Sequence, residues 1–152
     1  YRLGLGYEIG NTQLSLVADE LHYSEDGVVN NSLNVSDLSD YKRRAYMLGV
    51  SHRLGAWRLR ASYARALPGE CSMISASGIE CDTSGMGARQ YALGVGYRFT
   101  QNTEVFAHYV LLKNASLSNY NFAVAGAYAA SGYSPGAGTT INAIGTGFNY
   151  SF

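Results

Sequence analysis

The residues best suited to chemistry are four arginines that stand on alternate positions beside large apolar residues. Two of them flank Leu59. Two carboxylates, Glu8 and Glu104, likewise alternate with large apolar residues. Guanidinium groups on one surface attract anions, whereas pairing with the carboxylates would cancel most of that field, and the sequence leaves both outcomes open. The four arginines are Arg53, Arg58, Arg60 and Arg98.

Two cysteines form the second candidate pair. Cys71 and Cys81 are the only cysteines of the chain and stand ten positions apart. In an oxidising compartment such a pair is expected to form a disulfide, worth up to ~3 kcal/mol by the chain-entropy estimate. A metal site is disfavoured because no histidine or second cysteine pair lies near.

Composition excludes several classes of protein. The chain has 152 residues, 11 basic and 11 acidic, with 47% hydrophobic residues and 18 glycines. A disordered chain would be less apolar and more charged. A balanced charge offers no surplus of cations for nucleic-acid phosphates, so no nucleic-acid partner is predicted. No stretch approaches the ~20 consecutive apolar residues of a helical membrane span.

Alternation of residue types predicts an all-β fold. From Tyr1 to Ile9 the odd positions are large and apolar, and the even positions carry small or charged residues. This is the pattern of a strand with two different faces. In the second segment the phase slips between Leu16 and Val17, which predicts a β-bulge. Seven strands are predicted, near 1–9, 12–23, 42–54, 57–67, 89–100, 103–113 and 139–152.

The connections between these strands alternate in length. Hairpin turns are predicted at 10–11, 55–56 and 101–102. The other connections, about 24–41, 68–88 and 114–138, are long and rich in Ser, Gly, Asn or Ala. An antiparallel meander with short turns at one end and long loops at the other is typical of a bacterial outer-membrane barrel.

The two faces of the strands distinguish a membrane barrel from a soluble one. One face carries Leu, Val, Ile, Phe and Tyr, and the other carries Gly, Ala, Ser and the charged residues named above. A soluble barrel would bury the apolar set inside, whereas a membrane barrel turns it to lipid and keeps a polar lumen. The sixth strand departs from this pattern, because Phe106, Val110 and Leu112 share parity with Glu104. Aromatic residues gather near the tight turns, as in an interfacial girdle: Tyr7, Trp57, Tyr97, Phe99, Tyr150 and Phe152.

Three stretches carry a resemblance to a known family. They are residues 91–109, with Tyr91-Ala92-Leu93-Gly94-Val95-Gly96-Tyr97-Arg98-Phe99-Thr100 and Thr103-Glu104-Val105-Phe106-Ala107-His108-Tyr109, then Asn119-Tyr120-Asn121-Phe122, and finally Gly147-Phe148-Asn149-Tyr150-Ser151-Phe152. Together they resemble the C-terminal part of a trimeric general porin of Gram-negative bacteria, of the β-proteobacterial type.

The resemblance implies a location, a function and partners. It implies a homotrimer in the bacterial outer membrane, in contact with lipid and lipopolysaccharide, that lets small hydrophilic solutes and ions diffuse passively. No cofactor and no chemical step are expected. Phe148, Tyr150 and Phe152 share one strand face at the end of the chain, which is similar to the signal that the outer-membrane assembly machinery recognises.

Strand parity predicts that residues 1–152 are the C-terminal portion of one larger barrel domain. Bacterial barrels have an even number of strands, and seven is odd. At about 22 residues per strand, a barrel of roughly 16 strands needs about 350 residues. The alternative is a small eight-stranded barrel with a structural or adhesion role, in which residues 120–130 form the eighth strand.

Basic residues at the long-loop end of the outward face suggest a lipid contact. They lie below loops that carry acidic residues, among them Glu25, Asp26, Asp37, Asp40, Glu70, Glu80 and Asp82. Such a collar could hold the phosphates of lipopolysaccharide, with divalent ions bridging to the acids. The alternative is a set of snorkelling side chains below a solvated loop surface. The basic residues are Lys42, Arg44, Arg65 and Lys113.

Catalysis is not predicted. Outer-membrane phospholipases place a histidine and a serine two positions apart on one strand, and His22 and Ser24 have that spacing. A nucleophile and its base also require an orienting group and an oxyanion site, and the sequence shows no evident candidate for either. His52 and His108 lack metal-ligand spacing.

Overall fold

The computed structural model describes residues 1–24, 38–73, 83–122 and 136–152. In these residues the fold is one antiparallel sheet of eight strands, and none of them lies in a helix. Seven strands follow one another across the sheet in the order β1-β2-β3-β4-β6-β7-β8, and β5 pairs with β3 beside this path. The strands are β1 (Arg2–Ile9), β2 (Thr12–Ser24), β3 (Leu38–Leu54), β4 (Trp57–Ala66), β5 (Glu70–Met73), β6 (Ala88–Arg98), β7 (Thr103–Asn114) and β8 (Thr140–Tyr150).

The all-β prediction is confirmed, and the seven predicted strands correspond to β1–β4 and β6–β8. The short β5 lies where a long loop was predicted. It forms because β3 begins at Leu38, earlier than predicted, so that Lys42 pairs with Glu70 and Tyr41 with Cys71. Of the alternative strand at 120–130, residues 120–122 lie outside any strand. Residues 123–130 lie outside the described part of the chain.

Two of the tight turns depend on glycine. Gly10 and Gly55 have positive φ angles of 54° and 59°, a conformation that glycine adopts without steric cost. The third turn, between β6 and β7, contains no glycine. It is closed by a hydrogen bond from the Phe99 amide to the Thr103 carbonyl, 2.9 Å long. The short connections were thus predicted at the correct places.

The predicted bulge in the second strand is wrong. The register of β2 runs without a shift against both β1 and β3. The hydrophobic residues of β2 change parity because, towards the long loops, the polar face carries apolar residues and the apolar face carries charged ones. Val17 and Leu21 lie on the polar face, where Val17 is directly opposite Met47, while Glu20 lies on the otherwise apolar face. In β7 the apolar residues that break the pattern likewise lie on the polar face in a continuous register.

The register assigns every strand residue to one of two faces, since residues directly opposite each other point to the same side. The apolar face takes the odd residues of β1, β4, β6 and β7 and the even residues of β2, β3 and β8. The polar face takes the others. We call the end with the three tight turns the turn end, and the opposite end the loop end.

No second layer covers the apolar face within the described residues. Leu93, Ile144 and Phe148 are 63%, 79% and 74% exposed. The only buried hydrophobic residues in the described ranges are Ala88 and Leu112, both on the polar face. The sheet is not closed, since β1 and β8 each pair with one neighbour. Within the described residues, no helix has the length and apolarity to cross a membrane.

Candidate functional site: an arginine cluster on the polar face

The four predicted arginines come together on the polar face at the turn end. Arg53 at the end of β3 is directly opposite Arg58 in β4, and Arg60 follows two residues along the same strand. Arg98 at the end of β6 is directly opposite Glu104 in β7. The tight turns align these strand ends, so residues from four consecutive strands of the sheet lie close together at the turn end.

Glu104 is the centre of this arginine cluster. Its Oε1 accepts a hydrogen bond of 2.5 Å from Arg60 Nη2, and its Oε2 lies 3.3 Å from Arg58 Nη1. The residue is only 8% exposed. A carboxylate so far removed from water is stable in its charged form only when it is paired. The two guanidinium groups provide that pairing, and the carboxylate in turn reduces the repulsion between them.

The Arg60–Glu104 ion pair crosses over β6, which lies between the two strands that carry it. A Cβ atom added at Gly96 would lie 2.5 Å from Glu104 Oε1 and 3.1 Å from Arg60 Nη1. Glycine at this position therefore leaves the space through which the two long side chains meet. Sequence analysis did not identify Gly96 as part of the site. The available signal was a small residue on the polar face of a strand whose neighbours carry an arginine and a glutamate.

Pairing with Glu104 leaves the cluster positively charged. Four arginines and one glutamate sum to a net charge of +3. Within the described ranges, Arg53 and Arg98 form no ion pair at 4.0 Å or less. Glu8, the other predicted carboxylate, lies apart from the cluster. It shares a row with Gln13, Ser51 and Arg60. Arg53, the nearest arginine of the cluster, is two strand spacings and two residues away, about 12 Å.

Two stacked rings lie beside the arginine cluster on the polar face. Phe106 and His108 in β7 stack with their ring centroids 6.0 Å apart. They lie against β8 where it carries Gly145 and Gly147, since a Cβ atom at either glycine would approach a ring to 2.4 Å or 2.7 Å. Phe106, one of the apolar residues that break the pattern of β7, therefore packs on the bare backbone of Gly147. Leu112, further along the strand, is 5% exposed.

The predicted aromatic girdle lies at the turn end of the apolar face. Tyr97 contacts both Trp57 and Phe99, with ring centroids 4.8 Å and 4.9 Å apart. Tyr150 and Phe152 are 6.4 Å apart. The residues of the predicted assembly signal are exposed, and Phe148 and Tyr150 lie on the apolar face of β8. Aromatic rings thus line one end of the apolar face across several strands.

Basic residues line the other end of the same face. Arg65 in β4, Arg89 in β6 and Lys113 in β7 are directly opposite one another and form a row across three adjacent strands. We call these three residues the basic row. No carboxylate within the described ranges lies within ion-pair distance of them. Arg89 was missed by sequence analysis, although its parity in the strand would have placed it there.

Two of the predicted collar residues are neutralised. Glu20 accepts a 2.8 Å hydrogen bond from Arg44 and lies 3.3 Å from Lys42 Nζ. Arg44 also lies 3.8 Å from Glu70. The remaining acidic residues predicted above the collar, apart from Asp40, lie outside the described part of the chain: Glu25, Asp26, Asp37, Glu80 and Asp82.

The other sequence candidates are dispersed. Cys71 lies in β5 and is disulfide-bonded, whereas Cys81, its predicted partner, lies outside the described residues. His22 in β2 is opposite Lys42 on the apolar face, far from the arginine cluster. His52 shares a 2.7 Å hydrogen bond with Thr12. In the ranges that the structure describes, no group of three or more His, Cys, Asp or Glu residues could hold a metal ion.

Comparison with known proteins adds no relative to this description. No protein-family model matches the sequence, and a search of curated proteins finds no match either.

Proposed function

We propose that this chain is part of an outer-membrane β-barrel that forms a water-filled channel for passive diffusion of small hydrophilic solutes and ions. The observation that carries the proposal is the opposite character of the two faces of the sheet. One face is apolar between an aromatic end and a basic end, and the other carries small residues and the arginine cluster. A lipid-facing outer wall and a water-filled interior require this arrangement.

The exposed apolar face favours a hydrocarbon environment over water. Leu3, Leu5, Leu93, Ile144 and Phe148 are all more than half exposed on one side of a single-layered sheet. Burial of each such side chain contributes about 1.5–3 kcal/mol. Soluble monomers rarely expose a continuous apolar surface of this kind. In a membrane, acyl chains would cover it, and the aromatic rings would lie at the level of the headgroups.

The open edges of the sheet are compatible with a larger barrel. An exposed strand edge presents unpaired N–H and C=O groups, which closure of the sheet satisfies. We propose that β1 and β8 pair with further strands, in a barrel of roughly 16 strands. The homotrimer and the recognition of the terminal aromatic residues by the assembly machinery follow from the porin resemblance and belong to the same proposal.

The basic row supports a contact with phosphate-bearing lipid. Like charges directly opposite each other in a sheet are destabilising, so Arg65, Arg89 and Lys113 require an anion near them. Phosphate groups of lipopolysaccharide meet this need at the boundary of the apolar face. Because Lys42 and Arg44 are paired with Glu20, the contact is assigned to the basic row alone.

The arginine cluster supports a preference for anions. Its net charge of +3 raises the local concentration of anions in a water-filled interior. Glu104 neutralises one charge and leaves the others, so partial pairing does not abolish the field.

Single-channel recording in planar bilayers tests the function. The complete protein is expected to give large, stepwise conductances, with a reversal potential in a KCl gradient that favours chloride. The double variant Arg58→Glu with Arg60→Glu is expected to shift selectivity towards cations. Arg53→Gln is expected to reduce the preference for anions without breaking an ion pair. Folded protein that never opens a channel would instead support the alternative, a barrel with a structural or adhesion role.

A further inference from the structure

The chain after β7 folds back over the polar face at the loop end. The Asn114 side chain donates to the Tyr120 carbonyl and accepts from the Tyr120 amide, both at 2.9 Å. Ser118 donates to the Gly87 carbonyl at 2.5 Å. We call residues 115–122 the inward segment. These hydrogen bonds hold the inward segment at the end of β7, through Asn114, and at the start of β6, through Gly87.

The Tyr120 side chain connects the inward segment to β3. Arg43 of β3 donates a 2.6 Å hydrogen bond to the Tyr120 hydroxyl, and its guanidinium carbon lies 5.1 Å from the centre of the Tyr120 ring. Between β7 and β3 lie β6 and β4. The Tyr120 and Arg43 side chains together therefore bridge the three strand spacings, about 14 Å, between β7 and β3.

Packing under the inward segment shows that it lies on the polar face. Ala88 and Leu112, on that face, are 8% and 5% exposed and are the buried hydrophobic residues of the described ranges. A cavity of about 470 Å³ remains between segment and sheet, lined in part by Tyr120, Arg43 and Gln90. The volume is within the range of small-molecule sites, so solute can enter the space that the segment narrows.

The polar face beside the inward segment carries a net positive charge. Arg2 and Asp19, which line the same cavity, form a 2.6 Å ion pair, so Arg43 is the remaining cation on the polar side of this cavity. No carboxylate in the described ranges lies within ion-pair distance of Arg43. Between this residue and the arginine cluster, the middle rows of the polar face carry small or uncharged residues such as Gly49, Ser62 and Ala92.

We propose that the inward segment forms a narrow point of the channel, at the end opposite the arginine cluster, where Arg43 and Tyr120 contact permeating anions. The inference rests on the proposed channel function and deepens it. Tyr120 restricts the width and orients the guanidinium, and Arg43 provides the charge. Anions with exposed oxygen atoms, such as carboxylates and phosphates, as well as chloride, would pass between two cationic regions separated by a neutral stretch.

The test compares three variants of the complete protein in planar bilayers with KCl. Arg43→Gln is expected to lower the anion-to-cation permeability ratio by about threefold, because a unit charge some 6 Å away, screened by salt near 0.15 M, changes the local concentrations of anion and cation by roughly 1.7-fold each, in opposite directions. Arg44→Gln removes the same charge one residue away but on the other face of the sheet, and is expected to leave the ratio unchanged. Tyr120→Ala removes the bulky ring and is expected to raise the conductance and to admit larger anions such as gluconate.

The outcomes separate the two proposals. A wild-type protein that opens no channels contradicts the channel function itself. If the wild-type protein conducts, two results overturn only the inference about the narrow point at the inward segment. One is a permeability ratio of Arg43→Gln equal to that of Arg44→Gln, and the other is a wild-type conductance for Tyr120→Ala. Arg43→Lys keeps the charge and is expected to retain the preference for anions, which distinguishes loss of charge from a disturbed fold.

Discussion

Gly96→Ala should weaken the arginine cluster by steric displacement of its central ion pair. The added Cβ atom would lie 2.5 Å from Glu104 Oε1, about 0.9 Å closer than ordinary van der Waals contact. If the carboxylate moves by that amount, its 2.5 Å hydrogen bond with Arg60 is lost. A hydrogen bond between charged groups contributes about 1.5–3 kcal/mol, and alanine returns about 0.5–1 kcal/mol in backbone entropy. The expected net loss of stability is therefore about 1–2 kcal/mol.

Gly94→Ala is the matched control in the same strand and on the same face. Its Cβ atom would meet its nearest neighbours at 3.6 Å, an ordinary contact, so the variant is expected to be as stable as the wild type or slightly more stable. Urea unfolding of the complete protein in detergent micelles, followed by the fluorescence of Trp57, measures both variants. Equal unfolding midpoints for Gly94→Ala and Gly96→Ala would refute the assigned role of Gly96.

Two further variants test the charges on the two faces. Glu104→Gln raises the net charge of the arginine cluster from +3 to +4. It is expected to lower the urea midpoint and to raise the anion-to-cation permeability ratio in bilayers. Glu8→Gln, about 12 Å from the cluster, should leave the midpoint in place. An unchanged midpoint for Glu104→Gln would show that the carboxylate does not hold the arginines together. Arg89→Glu, in the middle of the basic row, is expected to reduce the phosphorus that copurifies with the protein in mild detergent, measured by total phosphate analysis; Arg44→Gln should retain it, and equal phosphorus in both would contradict a phosphate contact of the row.

Glu104 has two opposing effects in the proposed channel. Its negative charge reduces the positive charge of the cluster. The same charge allows Arg58 and Arg60 to lie close together at the turn end of the sheet. Guanidinium groups packed without a counter-charge would repel one another. A partly neutralised cluster therefore has a lower net charge than four arginines alone but holds its arginines together in a small area.

The tight turn at Gly55 explains why Arg53 and Arg58 can be placed together from the sequence. Where two strands are joined by a two-residue turn, their register is set by the turn. Arg53 and Arg58 flank the turn at Gly55, so their placement directly opposite each other on one face follows from counting residues. The same counting fails for Arg98: the predicted two-residue turn at 101–102 would place it opposite Val105, whereas it lies opposite Glu104.

Counting residue parity gave a wrong prediction where apolar residues lie on the polar face of the sheet. The parity shift in β2 was interpreted as a bulge, but the register is continuous. A hydrophobic residue on the polar face can be stable if something covers it, and Leu112 is buried on that face. Which parts of a face are covered depends on segments distant in sequence, so alternation alone does not distinguish a bulge from a local change of environment.

The sequence by itself determined the all-β class, the seven-strand path, the positions of the tight turns and the shared face of Arg53, Arg58, Arg60 and Arg98. Side-chain direction in a strand has a period of two, and short turns transmit it between neighbours. Only the tertiary structure decided which residues meet across the sheet. Glu104 pairs with Arg60, 44 positions away, over a strand that must carry Gly96. Arg43 meets Tyr120, 77 positions away, because a segment after β7 folds back. Contacts of this kind depend on strand order and on side chains that reach past a neighbouring strand, and no local pattern in the sequence encodes either.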